Sequence, residues 1–178
     1  MNKALLDASS AILLYKTGLL HDLVAVYQIH VTRSVLEELT GRSRPGAATF
    51  ARCIDENTLS VISMENEEAN YKGVESEMKT LGKGELDTIR CLEAGMGDFI
   101  ITDDGKAARY CKNKTLPFIN ALLFPRLLYF AGIFSLHESV MKMEAIRRIG
   151  RYSPQITAWA SNCAKEALDF AIPRKVGY

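Results

Sequence analysis

The sequence has no CxxC pair, and its four cysteines, at 53, 91, 111 and 163, have no histidine close enough in sequence to complete a zinc framework. They read as reduced, mostly buried thiols of a cytosolic protein. Charge of one sign is also missing. The 22 Lys and Arg residues face 21 Asp and Glu, a formal charge of +1. No global basic field exists, so a nucleic-acid partner must be held by a local patch. Long apolar runs are absent as well. The longest, Ala121 to Phe134, is broken by Pro125 and Arg126 and falls short of a membrane-spanning helix. One lysine and three apolar residues, Ala4 to Leu6, precede Asp7, too short a run for a signal peptide. A cytoplasmic protein with no membrane contact is expected. Finally, His21, His30 and His137 form no constellation with a serine or cysteine, which argues against triad hydrolysis.

What remains is a chain of 178 residues, 48% hydrophobic and 24% charged, able to bury a core without staples. Disorder, collagen and coiled coil are excluded on composition. Short apolar runs of β type alternate with stretches of helical period, the signature of βαβ units around a parallel sheet. Strands are expected over residues 3–7, 28–32, 58–62, 98–102 and 116–119. Helices are expected over Pro45–Asn57, Glu67–Leu81 and Gly84–Gly95, the last with Leu86, Ile89 and Leu92 on one face. After Ser135 the alternation ends. Two helical stretches, Leu136–Ile149 and Ser153–Phe170, predict a C-terminal helical appendage (136–178) on a core of residues 1–135. Charge is unevenly spread: residues 65–98 carry nine acids and four bases, 103–135 five bases and two acids, and 136–178 seven bases and four acids.

The acids fall at telling places. Asp7 ends the first strand, with Ser9 and Ser10 where a helix should begin, and ligands of open α/β sheets bind at the carboxyl ends of strands. A helix cap would explain Asp7 equally well. In Val35-Leu36-Glu37-Glu38-Leu39, Glu37 stands three residues after Ser34 and fits a capping box, whereas Glu38 has no such local explanation. Gly82-Lys83-Gly84-Glu85-Leu86-Asp87 is a glycine-flanked helix start with two acids. Helix-dipole complementarity accounts for the acids, and the glycines point to close backbone approach. Glu85 and Asp87 lie about 200° apart around a helix, so one of them at most faces a given site. Phe99-Ile100-Ile101-Thr102-Asp103-Asp104 is a buried strand ending in a hydroxyl and two adjacent carboxylates, which repel unless compensated. A hard divalent cation would compensate them. Together the four loci predict an acidic pocket at one edge of the sheet.

On these residues the sequence resembles the PIN domain nucleases. The likeness rests on Leu5-Leu6-Asp7-Ala8-Ser9, Val35-x-x-Glu38-Leu39, Gly84-Glu85-x-x-x-Ile89 and Ile101-Thr102-Asp103-Asp104, in the family's order. Leu116-Pro117-Phe118-Ile119-Asn120 and the apolar helix after it are also similar, so the resemblance covers residues 1 to about 135. It implies a three-layer α/β/α sandwich with a central, mostly parallel sheet of about five strands. It also implies carboxylates that bind Mg²⁺ or Mn²⁺ and hydrolyse phosphodiester bonds, most often in RNA. Asp7, Glu38, Glu85 and Asp104 match the family's acidic positions, with Ser9 and Thr102 beside them. Asp87 competes with Glu85, and Asp103 with Asp104, for the metal.

Phosphodiester hydrolysis needs an activated water and charge stabilisation on the leaving oxygen, which metals held by carboxylates supply. Lys106, Arg109, Lys112 and Lys114, following the Asp pair, spread over one broad helix face suited to phosphates, or form a plain solvated face. Arg147, Arg148, Arg151 and Tyr152 offer a second basic patch with an aromatic for stacking. The leading expectation is a metal-dependent endoribonuclease, the toxin of a toxin–antitoxin pair, with RNA as substrate, an antitoxin protein as partner and homodimerisation common among the proteins it resembles. The alternative is a non-catalytic PIN-like module binding RNA or protein. A receiver domain wants its acid pair after the first strand, and a haloacid-dehalogenase-like phosphatase wants an Asp where Ser9 stands; neither pattern is present.

Overall fold

Five short segments of this chain read as strands, and Ala4-Leu5-Leu6 and Phe99-Ile100-Ile101 among them are apolar throughout, which suits strands covered on both faces rather than on one. In the computed structural model, which describes residues 1–41, 43–63 and 80–173, they form β1 (Lys3–Leu6), β2 (Gln28–Thr32), β3 (Leu59–Ile62), β4 (Phe99–Ile101) and the two-residue β5 (Phe118–Ile119). All pairings are parallel, in the order β3-β2-β1-β4-β5. The register sets Leu5 beside His30 and Ile100, and Leu6 beside Ile101. The strand expected from residue 116 shrinks to two residues because Pro117 has no N–H to donate; it only accepts, from Ile100 at 3.1 Å.

Side chains alternate across the sheet as strand geometry requires. Ala4, Leu6, Phe99 and Ile101 face the larger core, where α1 (Ala8–Lys16), α2 (Leu20–Val26), α7 (Phe124–Phe130) and α8 (Leu136–Ile149) bring Leu14, Leu23, Leu127 and Ile146. Leu5 and Ile100 face the other way, against Ile89 and Leu92 of α5 (Lys83–Glu93) and Ala107 and Cys111 of α6 (Gly105–Asn113). Helices therefore cover both faces, a three-layer α/β/α sandwich, with the sheet parallel throughout. Between β2 and β3 run α3 (Arg33–Thr40) and α4 (Ala47–Asp55). All four cysteines are free and buried. No helix among the described residues is long and apolar enough to cross a membrane.

Two local expectations change, and a third falls mostly outside the described residues. The helix read over Glu67–Leu81 lies outside the described residues except for its last two positions. Ser34 and Glu37 form no capping box: Thr32, still extended at the end of β2, accepts the Val35 amide at 3.3 Å and caps α3, while Ser34 donates to Asp87 at 2.6 Å. The stretch Ser153–Phe170 is also not one helix. It splits into α9 (Pro154–Asn162) and a 3-10 turn over Lys165–Leu168. At Cys163 the backbone is extended, and Arg126 of α7 takes its carbonyl at 3.2 Å, an acceptor that a continuing helix would have used itself.

The C-terminal stretch joins the larger core through Met143, Ile146, Ala160, Cys163, Leu168 and Ala171. Two bonds tie its end to the start of the chain: the Tyr27 phenol donates to the Ala171 carbonyl at 2.5 Å, and the Asn2 amide to that of Phe170 at 3.1 Å.

Candidate active site

The sheet order reverses direction between β1 and β4, since β2 and β3 extend from one side of β1 and β4 and β5 from the other. Carboxyl ends of strands at such a reversal open onto the crevice where α/β sheets bind ligands. Asp7 follows β1 and Asp103 and Asp104 follow β4, so three of the expected acids sit at this point. The Asp7 amide still bonds the Ile101 carbonyl at 3.2 Å, fixing the two strand ends to one another.

Asp7 is 2% exposed. Its Oδ1 accepts from the Ser10 amide at 2.7 Å, capping α1, and from the Ser9 hydroxyl at 3.0 Å; its Oδ2 accepts from the Thr102 hydroxyl at 2.5 Å. Burial nevertheless raises its pKa, with those donors opposing the rise. Asp104 caps α6, its Oδ1 accepting from the Lys106 and Ala107 amides at 2.9 and 2.8 Å. Asp103 bonds elsewhere. Its Oδ2 accepts from the Ser10 hydroxyl at 2.8 Å and the Ala121 amide at 3.1 Å, and its Oδ1 from the Tyr152 phenol. Burial pushes Asp103 up to about 6, and the charge of Asp7 adds to the rise against these bonds.

Glu85 stands in the first turn of α5, after Gly82, whose backbone leaves room for the carboxylate to fold back. A Cβ at Gly82 would lie 2.3 Å from Glu85 Oε2. At Gly84 a Cβ would lie 3.2 Å from Val35, so the second glycine lets α5 approach α3. The pKa of Glu85 is raised, first by burial and then by the charges of Asp104, Asp7 and Glu38, with a bond to its own backbone amide opposing. Glu85 therefore feels the charges of the three other acids expected to act with it, each carried by a different element. Glu38 is the most exposed of them and pairs with Arg44 at 3.5 Å, a contact of small energetic weight at a wetted surface. Asp87 points to the start of α3 and accepts from Ser34.

The basic residues divide. Lys106 and Arg109 are exposed on α6, immediately after Asp104, and Lys106 Nζ donates to the Thr80 carbonyl at 3.0 Å. Lys114 lies over the Tyr110 ring at 5.8 Å. In the patch expected around residue 150, Arg147, Arg148 and Arg151 are exposed, the first two bonding Glu144, while Tyr152 turns inward to Asp103 and is not presented for stacking. Ser10 and Tyr152 are the side chains at the pocket that spacing in the sequence does not assign to it. Ser10 lies beside the Asp7 motif, whereas Tyr152 is 49 residues from its partner and carries no local signal.

A sequence model described as the PIN domain matches residues 3–148. The chain belongs to the PIN domain family. PIN domains are in general nucleases, and the fold of this PIN domain is of that nuclease type. The match runs past residue 135 and takes in nearly all of α8. No curated protein and no solved structure matches the chain significantly.

PIN domains typically use divalent metals. Among the described residues no three His, Cys, Asp or Glu side chains converge closely enough, in their present rotamers, to enclose an ion. Two other observations fit the donors to one. All are carboxylates, which hard divalent cations prefer. And among the described residues no ion pair reaches Asp7, Glu85, Asp103 or Asp104, so a group of mutually repelling carboxylates lacks a compensating cation.

Proposed function

We propose that this PIN domain is a metal-dependent endoribonuclease acting in the cytoplasm, the toxin of a toxin–antitoxin pair. The observation that carries the reading is the placing of the acids: Asp7 and Asp104 cap the helices that follow the two adjacent central strands β1 and β4, and Glu85, raised first by burial, also feels the charges of Asp104, Asp7 and Glu38. Asp7, Glu85 and Asp104, with Asp103, are the side chains that would hold Mg²⁺ or Mn²⁺, and Glu38 completes the acidic set. A bound ion of this kind supplies a water activated at neutral pH and a charge to stabilise the leaving oxygen.

The chain's own residues do the rest. Thr102, Ser9 and Ser10 hold the Asp7 carboxylate at fixed acceptor geometry, so little reorganisation is needed when a cation arrives. Lys106 and Arg109, one helical turn from the acids, would contact phosphates and orient the RNA backbone against them. An antitoxin or a second copy of the chain would cover the exposed Leu136 and Val140 of α8. The second reading is a non-catalytic RNA- or protein-binding PIN module, favoured by the lack of any three described acids that converge on one ion position.

A labelled RNA pool incubated with Mg²⁺, Mn²⁺ or excess chelator tests the proposal. Asp7→Asn and Asp104→Asn keep the helix caps, since Asn caps as well as Asp does, yet remove the charge. Metal-dependent cleavage should fall in both by more than about 100-fold, beyond the loss expected for a merely supporting partner. Cleavage that survives both substitutions, or that ignores chelator, would sink the proposal.

A further inference from the structure

The acidic pocket takes one of its fixed points from far along the chain. Asp103 accepts from three segments: the Ser10 hydroxyl of α1, the Ala121 amide after β5, and the Tyr152 phenol between α8 and α9. The first two share Oδ2, at 2.8 and 3.1 Å, and among the described residues the phenol alone engages Oδ1. Without the phenol one oxygen keeps its partners and the other loses its described donor, so the carboxylate could turn about its own bond. A phenol donating to a carboxylate also forms one of the stronger classes of hydrogen bond.

The phenol is itself well placed. The Tyr152 ring packs against the larger core. It lies over Gly150, where a Cβ would come 2.3 Å from Tyr152 Cε2, so only glycine at 150 leaves the ring where it is. On its other side Ser153 caps α9 by accepting the Ile156 amide at 3.2 Å. The end of one helix and the start of the next therefore hold the backbone of Tyr152 from both directions.

Resting on the nuclease reading above, we propose that Tyr152 is a positioning residue of the acidic site: its hydroxyl sets the orientation of the Asp103 carboxylate toward a divalent cation. The segment joining α8 to α9 is then a working part of the site and not only a cover for the core. Partners that orient ligating carboxylates typically change metal affinity or activity by about 10–100-fold when removed.

The test uses the full chain and two variants. Tyr152→Phe removes only the hydroxyl; Gly150→Ala keeps it but displaces the ring. Mn²⁺ binding is read by electron paramagnetic resonance, RNA cleavage gives kcat and KM, and thermal melts are run in chelator. For Tyr152→Phe the Mn²⁺ dissociation constant should rise about tenfold and kcat fall about tenfold with KM for RNA unchanged, while the melting midpoint stays within about 4 °C of wild type. Gly150→Ala should show the same Mn²⁺ deficit. Wild-type Mn²⁺ affinity and kcat in Tyr152→Phe would overturn this inference and leave the nuclease reading standing. A Tyr152→Phe chain that no longer melts cooperatively in chelator would make the hydroxyl a structural latch, which also overturns it. A wild-type chain that neither binds Mn²⁺ nor cleaves RNA would remove both.

Discussion

Asp7 collects three donors, from Ser9, Ser10 and Thr102, and its pKa still rises, because burial outweighs them. Glu85 and Asp103 rise as well. A group whose folded pKa lies above its unfolded value binds more protons in the folded state, so stability is greatest below the unfolded pKa and falls as pH rises through the folded one. For Asp103 that window runs from the ordinary 3.8 to about 6. Exposed carboxylates such as Glu144, lowered by its bonds to Arg147 and Arg148, slope the other way at lower pH, so the comparison must be between chains. In chelator, Asp103→Asn should gain stability relative to wild type as pH rises through that window, read as the difference between two melting curves. Parallel curves would mean that Asp103 ionises in the fold as freely as in water.

The positions of Asp7, Glu85 and Asp104 were legible in the sequence because each sits where a strand ends or a helix begins, whereas Glu38 lies near the end of α3. Which of each neighbouring pair did what was not legible. Asp104 caps α6 and Asp103 reaches Ser10, Ala121 and Tyr152, a division decided by side-chain direction in three dimensions. Tyr152 was invisible as a site residue for the same reason, its partner lying 49 residues away.

Among the elements, hydrophobic period located the strands and most helices, while caps and ends went to whichever neighbour offered the better bond. Thr32, still extended at the end of β2, caps α3, and Ser34, already inside the helix, is engaged with Asp87. Of the two glycines before β4, Gly97 serves packing. A Cβ at Gly97 would lie 2.7 Å from Cγ of Leu5, which is fully buried in β1. Gly97→Ala should therefore destabilise by about 1–3 kcal/mol, the usual range for overpacking a core. A denaturant midpoint equal to wild type would show that Leu5 has room to move. By contrast, Gly82→Ala meets only the far end of Glu85, so the chain should fold normally, with its effect confined to the position of that carboxylate and hence to cleavage.

For the molecule as a whole, the sheet order is what brings the segments carrying the four motifs to the same end of the sheet. It sets β1 between β2 and β4 and so gathers residues 7, 38, 85 and 104 at one end of the sheet. That gathering was expected from the resemblance, although nothing in composition or spacing fixes a strand order. The C-terminal stretch is the part least readable in sequence. Its helices read as an appendage because βα alternation stops at Ser135, yet Ile146, Ala160, Leu168 and Ala171 are buried in the core shared with β1 and β4. A chain ending at residue 135 should expose that face and lose cooperative melting. A truncated chain that melted as sharply as the full one would show the core to be complete without it.

The central claim, that the four acids act as one catalytic unit, is tested most directly by RNA cleavage in Mn²⁺ with Asp7→Asn, Glu85→Gln and the double variant. Groups that work as a unit lose their effect together, so the double variant should be no slower than the slower single one, with each single variant down by about 100-fold or more. Single variants that cleave at the wild-type rate, or a double variant whose loss is the product of two modest ones, would contradict it.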